Sequence, residues 1–169
     1  MTILLVILLG ISIGCVIVST VLNINGSSKI NKVTWDVHFE KVRTTKGSID
    51  AIKPATLDSN KTSINFEVFL KNPGDYYEFL IDVVNDGRID AKVGSEPILT
   101  GVSGKYQDYI NYSVKYLDGS KIRANDILNK GTEKTLVVRV ELDDDVSFDM
   151  IPEERHSFNL GFSLSYIQK

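Results

Sequence analysis

Apolar and polar positions alternate along most of this chain, and the alternation predicts strands. Val33, Trp35, Val37 and Phe39 oppose Thr34, Asp36, His38 and Glu40 in the segment 33–42. Ile64, Phe66, Val68 and Leu70 fall on one face, as do Tyr77, Phe79, Ile81 and Val83. Shorter or later segments repeat the pattern: Ile89, Ala91 and Val93; Ile110, Tyr112, Val114 and Tyr116; Leu136, Val138, Val140 and Leu142; and Phe158, Leu160, Phe162, Leu164 and Tyr166. A period of two means one buried face and one wet face. Turn residues separate the segments, at Asn72-Pro73-Gly74-Asp75, Asn85-Asp86-Gly87, Asp118-Gly119 and Lys130-Gly131. Gly and Asn supply positive φ there, and Pro presets the first turn position. The expectation is a mainly β domain, a single antiparallel immunoglobulin-like β-sandwich of about seven to eight strands. Strand order is open. Two helical turns are expected, over 104–110 and 123–130, the second capped by Asn125.

The first residues depart from this pattern. Met1 to Ser28 contain no charged side chain, so all 19 Lys and Arg and all 22 Asp and Glu follow. Ile3–Leu22 is apolar but for Gly, Ser, Thr and Cys, and as a helix it spans about 30 Å, the thickness of a bilayer's hydrocarbon. The chain therefore divides into a hydrophobic leader, 1–22, and a β domain, 23–169. The leader is either a retained transmembrane anchor or a signal segment cut near Cys15, where Ser12 and Gly14 supply small residues; no basic residue precedes it, which departs from a signal's n-region. Past Gly14, the β-branched run Val16–Asn25 also suits a strand once freed. Lys29, Lys32, Lys41 and Arg43 follow the leader and would hold the domain inside by the positive-inside rule, which is weak for a long folded domain.

Composition narrows the function. A net charge of −3 gives no basic face for nucleic acid. One cysteine, Cys15, allows no internal disulfide and lies in the leader, where a thiolate is costly. Of two histidines, His38 and His156, the first falls on the polar face of its strand and reads as a solvated imidazole. No zinc motif and no nucleophile elbow occurs, so no catalytic, metal or cofactor residue is expected. The run Glu141–Asp149 brings Asp143, Asp144, Asp145 and Asp149 together, oxygen donors of the kind calcium takes, but without the ordered spacing of an EF-hand. It reads first as a solvated acidic loop. Among the tyrosines, alternation turns Tyr76 and Tyr109 outward, where an amphipathic ring suits an interface.

The leader, the segment "VLNINGSSKINKVTWDVHFEKV", the run "PGDYYEFLIDVVNDGRIDA" and the closing "LGFSLSYIQK" together resemble membrane-tethered surface proteins of Gram-positive and related bacteria. More distantly, residues 70–91 and the leader-plus-sandwich layout are similar to the camelysin/TasA group of biofilm-fibre proteins. The resemblance implies an exported, non-catalytic structural or adhesive domain on the extracellular side or at the cell surface. It also implies a fibre subunit as an alternative, self-associating through a freed N-terminal strand, and a partner-binding surface module as a second. It carries no catalytic residue onto this chain.

Overall fold

A computed structural model of the protein describes residues 34–147 and 157–169. Alternation becomes strand wherever an apolar face finds a partner. In chain order the strands are β1 (Val37–Gly47), β2 (Lys53–Leu57), β3 (Ile64–Val68), β4 (Tyr76–Asn85) and β5 (Ala91–Val93). They continue with β6 (Ile98–Thr100), β7 (Ile110–Tyr116), β8 (Ile127–Leu128), β9 (Glu133–Leu142), β10 (Phe158–Ser163) and β11 (Tyr166–Gln168). All pairings are antiparallel, in three sheets: β1-β4-β9-β7, β2-β3-β10-β6 and β11-β5-β8.

The first two sheets share one core. On β4 the inward set Tyr77, Phe79, Ile81 and Val83 is buried, and on β9 Leu136, Val138, Val140 and Leu142 are. From the second sheet Ile64, Phe66, Val68, Phe158, Leu160 and Phe162 face them. Edge-on ring pairs join the layers, Phe66 to Phe79 at 5.1 Å and Phe39 to Phe162 at 5.5 Å between centroids. The third sheet adds Ala91, Val93 and Leu128 to the same core. Its place follows from Asn85, a fully buried side chain at the end of β4. Asn85 Nδ2 donates to the carbonyls of Ile89 and Leu128, and its Oδ1 accepts the Gly87 N–H. The Asn85-Asp86-Gly87 turn thus passes the chain from the first sheet into the third.

Several expectations change. Among the described residues eleven strands form where about seven to eight were expected, because β2, β6 and β8 are short and partly exposed, and the 158–166 run breaks at Leu164 into β10 and β11. The segment 123–130 is no helical turn: Asn125 adopts φ 72°, the Asp126 carboxylate accepts the Arg123 N–H, and Ile127–Leu128 pair with β5. Over 104–110 only Gly104–Asp108 is helical, as a 3₁₀ turn. Trp35 precedes β1 and is 40% exposed instead of joining the core. Tyr109 is buried beside Tyr106, not turned outward, because it lies in the turn before β7, where strand alternation does not apply. Among the described residues no helix is long and apolar enough to cross a membrane, and Ile3–Leu22, expected as a hydrophobic helix, lies outside them.

Candidate functional site

The side of the β1-β4-β9-β7 and β2-β3-β10-β6 pair where the edges β6 and β7 lie next to each other is a candidate surface for a partner. A shallow cleft of ≈ 270 Å³ runs there, with Pro97 and Leu99 on one wall and Tyr112, Val114 and Lys115 on the other. Ile98 and Leu99 are exposed, at 60% and 38%. Tyr112 packs edge-on to Phe66, and its hydroxyl is buried with no hydrogen-bond partner among the described residues. Burial pushes that phenol well above its ordinary pKa, so it stays a neutral donor. Glu96, Lys121 and Arg123 complete the rim. The opposite side is closed: the Phe39 N–H of β1 donates to the Lys61 carbonyl in the β2–β3 turn, at 2.8 Å.

Each edge of the first two sheets carries a device that discourages pairing with another chain. β1 is interrupted by register shifts at Glu40/Arg43 and Thr44/Gly47, with Lys41 at φ 52°. β2 holds Lys53 and Pro54 and shifts register before Thr56. β6 has three residues and follows Pro97. On β7 the returning segment bridges Lys115 to Lys121, and the Tyr116 N–H donates to the Ser120 carbonyl. The stretch of β7 before Lys115, which faces the cleft, carries no such device.

The acidic run forms a real cluster but a partly committed one. The carboxylate oxygens of Asp143, Asp144 and Asp145 come within 4.8 Å of one another. Asp143 Oδ1 accepts the Asp145 N–H, and its Oδ2 lies 3.4 Å from Asn111 Nδ2. One of the three carboxylates therefore shapes the turn. Asp149, the fourth expected member, lies outside the described residues, as do His156 and Cys15.

His38 is not the solvated imidazole that its polar face suggested, since its side chain is only 13% exposed. Nδ1 lies 2.8 Å from Asp36 Oδ1, and Nε2 lies 3.2 Å from Glu40 Oε1 and 4.0 Å from Asp86 Oδ2. Lys61 Nζ holds the same Glu40 oxygen at 2.8 Å. Burial disfavours the imidazolium, but the bonds to Asp36 and Glu40 outweigh it and raise the pKa. The spacing Asp36-x-His38-x-Glu40 was the available signal, since alternate residues share a strand face. Only the fold brings Asp86 and Lys61 to them. The group ties β1, the β2–β3 turn and the β4–β5 turn together.

No protein-family model matches the chain, and no curated protein or solved structure matches it either.

Proposed function

We propose that this protein is a non-catalytic module of the cell surface, an immunoglobulin-like β-sandwich held to the membrane through Ile3–Leu22 and displayed on the outer face. The observation that carries this reading is the charge-free, 20-residue apolar run joined to a domain that holds every charged residue of the chain. The blunted edges fit a domain that stands among many copies of itself without aggregating. In this reading the Tyr112–Leu99 cleft is where an adhesive or partner-binding contact is made.

A second reading is a fibre subunit. Its support is the uncommitted part of β7 beside exposed Ile98 and Leu99, where an added strand, such as a freed Val16–Asn25 of another copy, would find backbone partners.

Intact-mass analysis of the protein from the membrane and surface fractions of an expressing Gram-positive host, with protease shaving of whole cells, separates the two. A full-length mass confined to the membrane and lost on shaving supports the tethered module. A mass beginning near Cys15, in a released fraction, supports the fibre reading. A full-length mass resistant to shaving until lysis overturns the outward orientation.

A further inference from the structure

One end of the folded domain carries four exposed large apolar side chains, Trp35, Leu117, Ile127 and Ile167, that nothing among the described residues covers. Hydrogen bonds and register define this end. Val37 pairs with Asn85, Val84 with Glu133 and Tyr116 with Leu136, so β1 and β9 begin where β4 and β7 finish. The third sheet lies at the same end, tied to Asn85 through Ile89 and Leu128. Its register aligns Ile167, Lys92 and Ile127 in one row across β11, β5 and β8, on the face opposite to buried Ala91, Val93 and Leu128. Ile127 is 39% and Ile167 47% exposed, and Lys92 lies half-buried between them. Leu117, at 61%, caps the end of β7, its N–H donating to the Thr135 carbonyl. Trp35 is held here too: the Arg88 N–H donates to the Thr34 carbonyl, and the indole borders a crevice shared with Leu164 and Tyr166.

In the tethered reading, the covalent chain limits how far this end can stand from the bilayer. Residue 34 arrives at it, and only the 11 residues from Asn23 to Val33 separate it from the apolar run Ile3–Leu22. Fully extended they reach about 40 Å at most. The charges agree with an interfacial site. Arg88, Lys92, Lys130 and Lys169 belong to this end, and among the described residues none of them has a carboxylate within ion-pair distance, a condition they share with Lys71 and Lys115 elsewhere on the domain. Asp36, Asp86, Asp90, Asp118 and Asp126 also lie here, so the surface is mixed in charge, but Asp36 is bonded to His38, and Asp90, Asp118 and Asp126 accept the N–H groups of Lys130, Ser120 and Arg123.

We propose that this end is a docking surface for the phospholipid bilayer itself, with Trp35, Leu117, Ile127 and Ile167 entering the headgroup region and the lysines meeting lipid phosphates. Trp at the interface, and lysine stems laid along apolar side chains with the charge in the polar layer, are the expected chemistry. A surface too small to bind vesicles from solution suffices, because the tether raises its effective concentration at the membrane. The proposal rests on the tethered reading above.

Trp35 is the only tryptophan in the chain, so the test needs no label. The full chain is reconstituted into phosphatidylcholine–phosphatidylglycerol vesicles, and Trp35 is quenched either by lipid brominated near the headgroup or by aqueous iodide. Docking predicts quenching by the brominated lipid and protection from iodide. Both effects should be largely lost in Ile127→Glu/Ile167→Glu and in the milder Ile127→Thr/Ile167→Thr, each checked for unchanged far-UV circular dichroism. Full iodide access, with the chain still in the vesicles after alkaline extraction, overturns docking and leaves the tether standing. Protection from iodide without quenching by brominated lipid means that a second copy covers the surface, and also overturns it. Loss of the chain on alkaline extraction removes the tethered reading and the docking with it.

Discussion

Asp82 and His38 both sit among ion partners on the first sheet, yet they act on stability in opposite pH ranges. Asp82 is buried and takes both Arg43 nitrogens, at 2.7 and 2.6 Å, and the Thr135 hydroxyl at 2.7 Å. The Arg43 bonds dominate and hold its pKa below the ordinary carboxylate value. A lowered folded pKa stabilises above about pH 3.9, and that contribution is lost as the pH falls through the folded value. His38 has a raised folded pKa, so its contribution is complete below about pH 6.5 and is lost as the pH rises through the raised value. Urea midpoints of the wild type should therefore decline at both extremes. His38→Gln should flatten the alkaline side alone. Asp82→Asn should flatten the acid side and cost about 2–3 kcal/mol near neutral pH, toward the low end for a buried pair because the Arg43 guanidinium it leaves behind is partly solvated. An alkaline slope that persists in His38→Gln would show that other groups set it.

Among the elements, the edges govern whether the domain stays alone. Pro97 removes a backbone donor just before β6, and Pro54 does the same within β2, while Lys53 adds a charge. Replacing both prolines with threonine restores two donors and favours strand backbone, so the variant should form dimers or larger species on size exclusion at concentrations where the wild type stays monomeric. An unchanged elution volume would shift the protective role to the bulges of β1 and β2. The same elements explain what sequence could reveal. β3, β4, β7 and β9 alternate cleanly, and their apolar faces are the ones buried. β2, β6 and β8 have two to five residues with mostly exposed side chains, so no apolar period marks them; their partners, not their composition, make them strands. Trp35 misleads because it continues the alternation of β1 past the point where the strand begins. The cleft and the exposed row of the third sheet were illegible for a related reason. Ile167, Lys92 and Ile127 are separated by tens of residues, and only register aligns them.

Over the whole molecule, connectivity sets the folding problem. Of the strand pairings among the described residues, only β2 with β3 joins neighbours in sequence. β4 must find β9 across more than 40 residues, and β3 must find β10 across more than 80, before either sheet gains its central contact. Loop-closure entropy is therefore spent before the core forms, which places folding on the order of milliseconds to seconds, not microseconds. Because Phe66 of the second sheet packs on Phe79 and Tyr77 of the first, neither sheet has a core of its own. Phe66→Ala should cost about 3–5 kcal/mol. It should also lower the urea midpoints followed by Trp35 fluorescence and by far-UV circular dichroism together, since Trp35 lies beside Tyr166 at the far side of the same core. Separated midpoints would instead mean that the third sheet, with Trp35 against it, opens as a unit of lower stability.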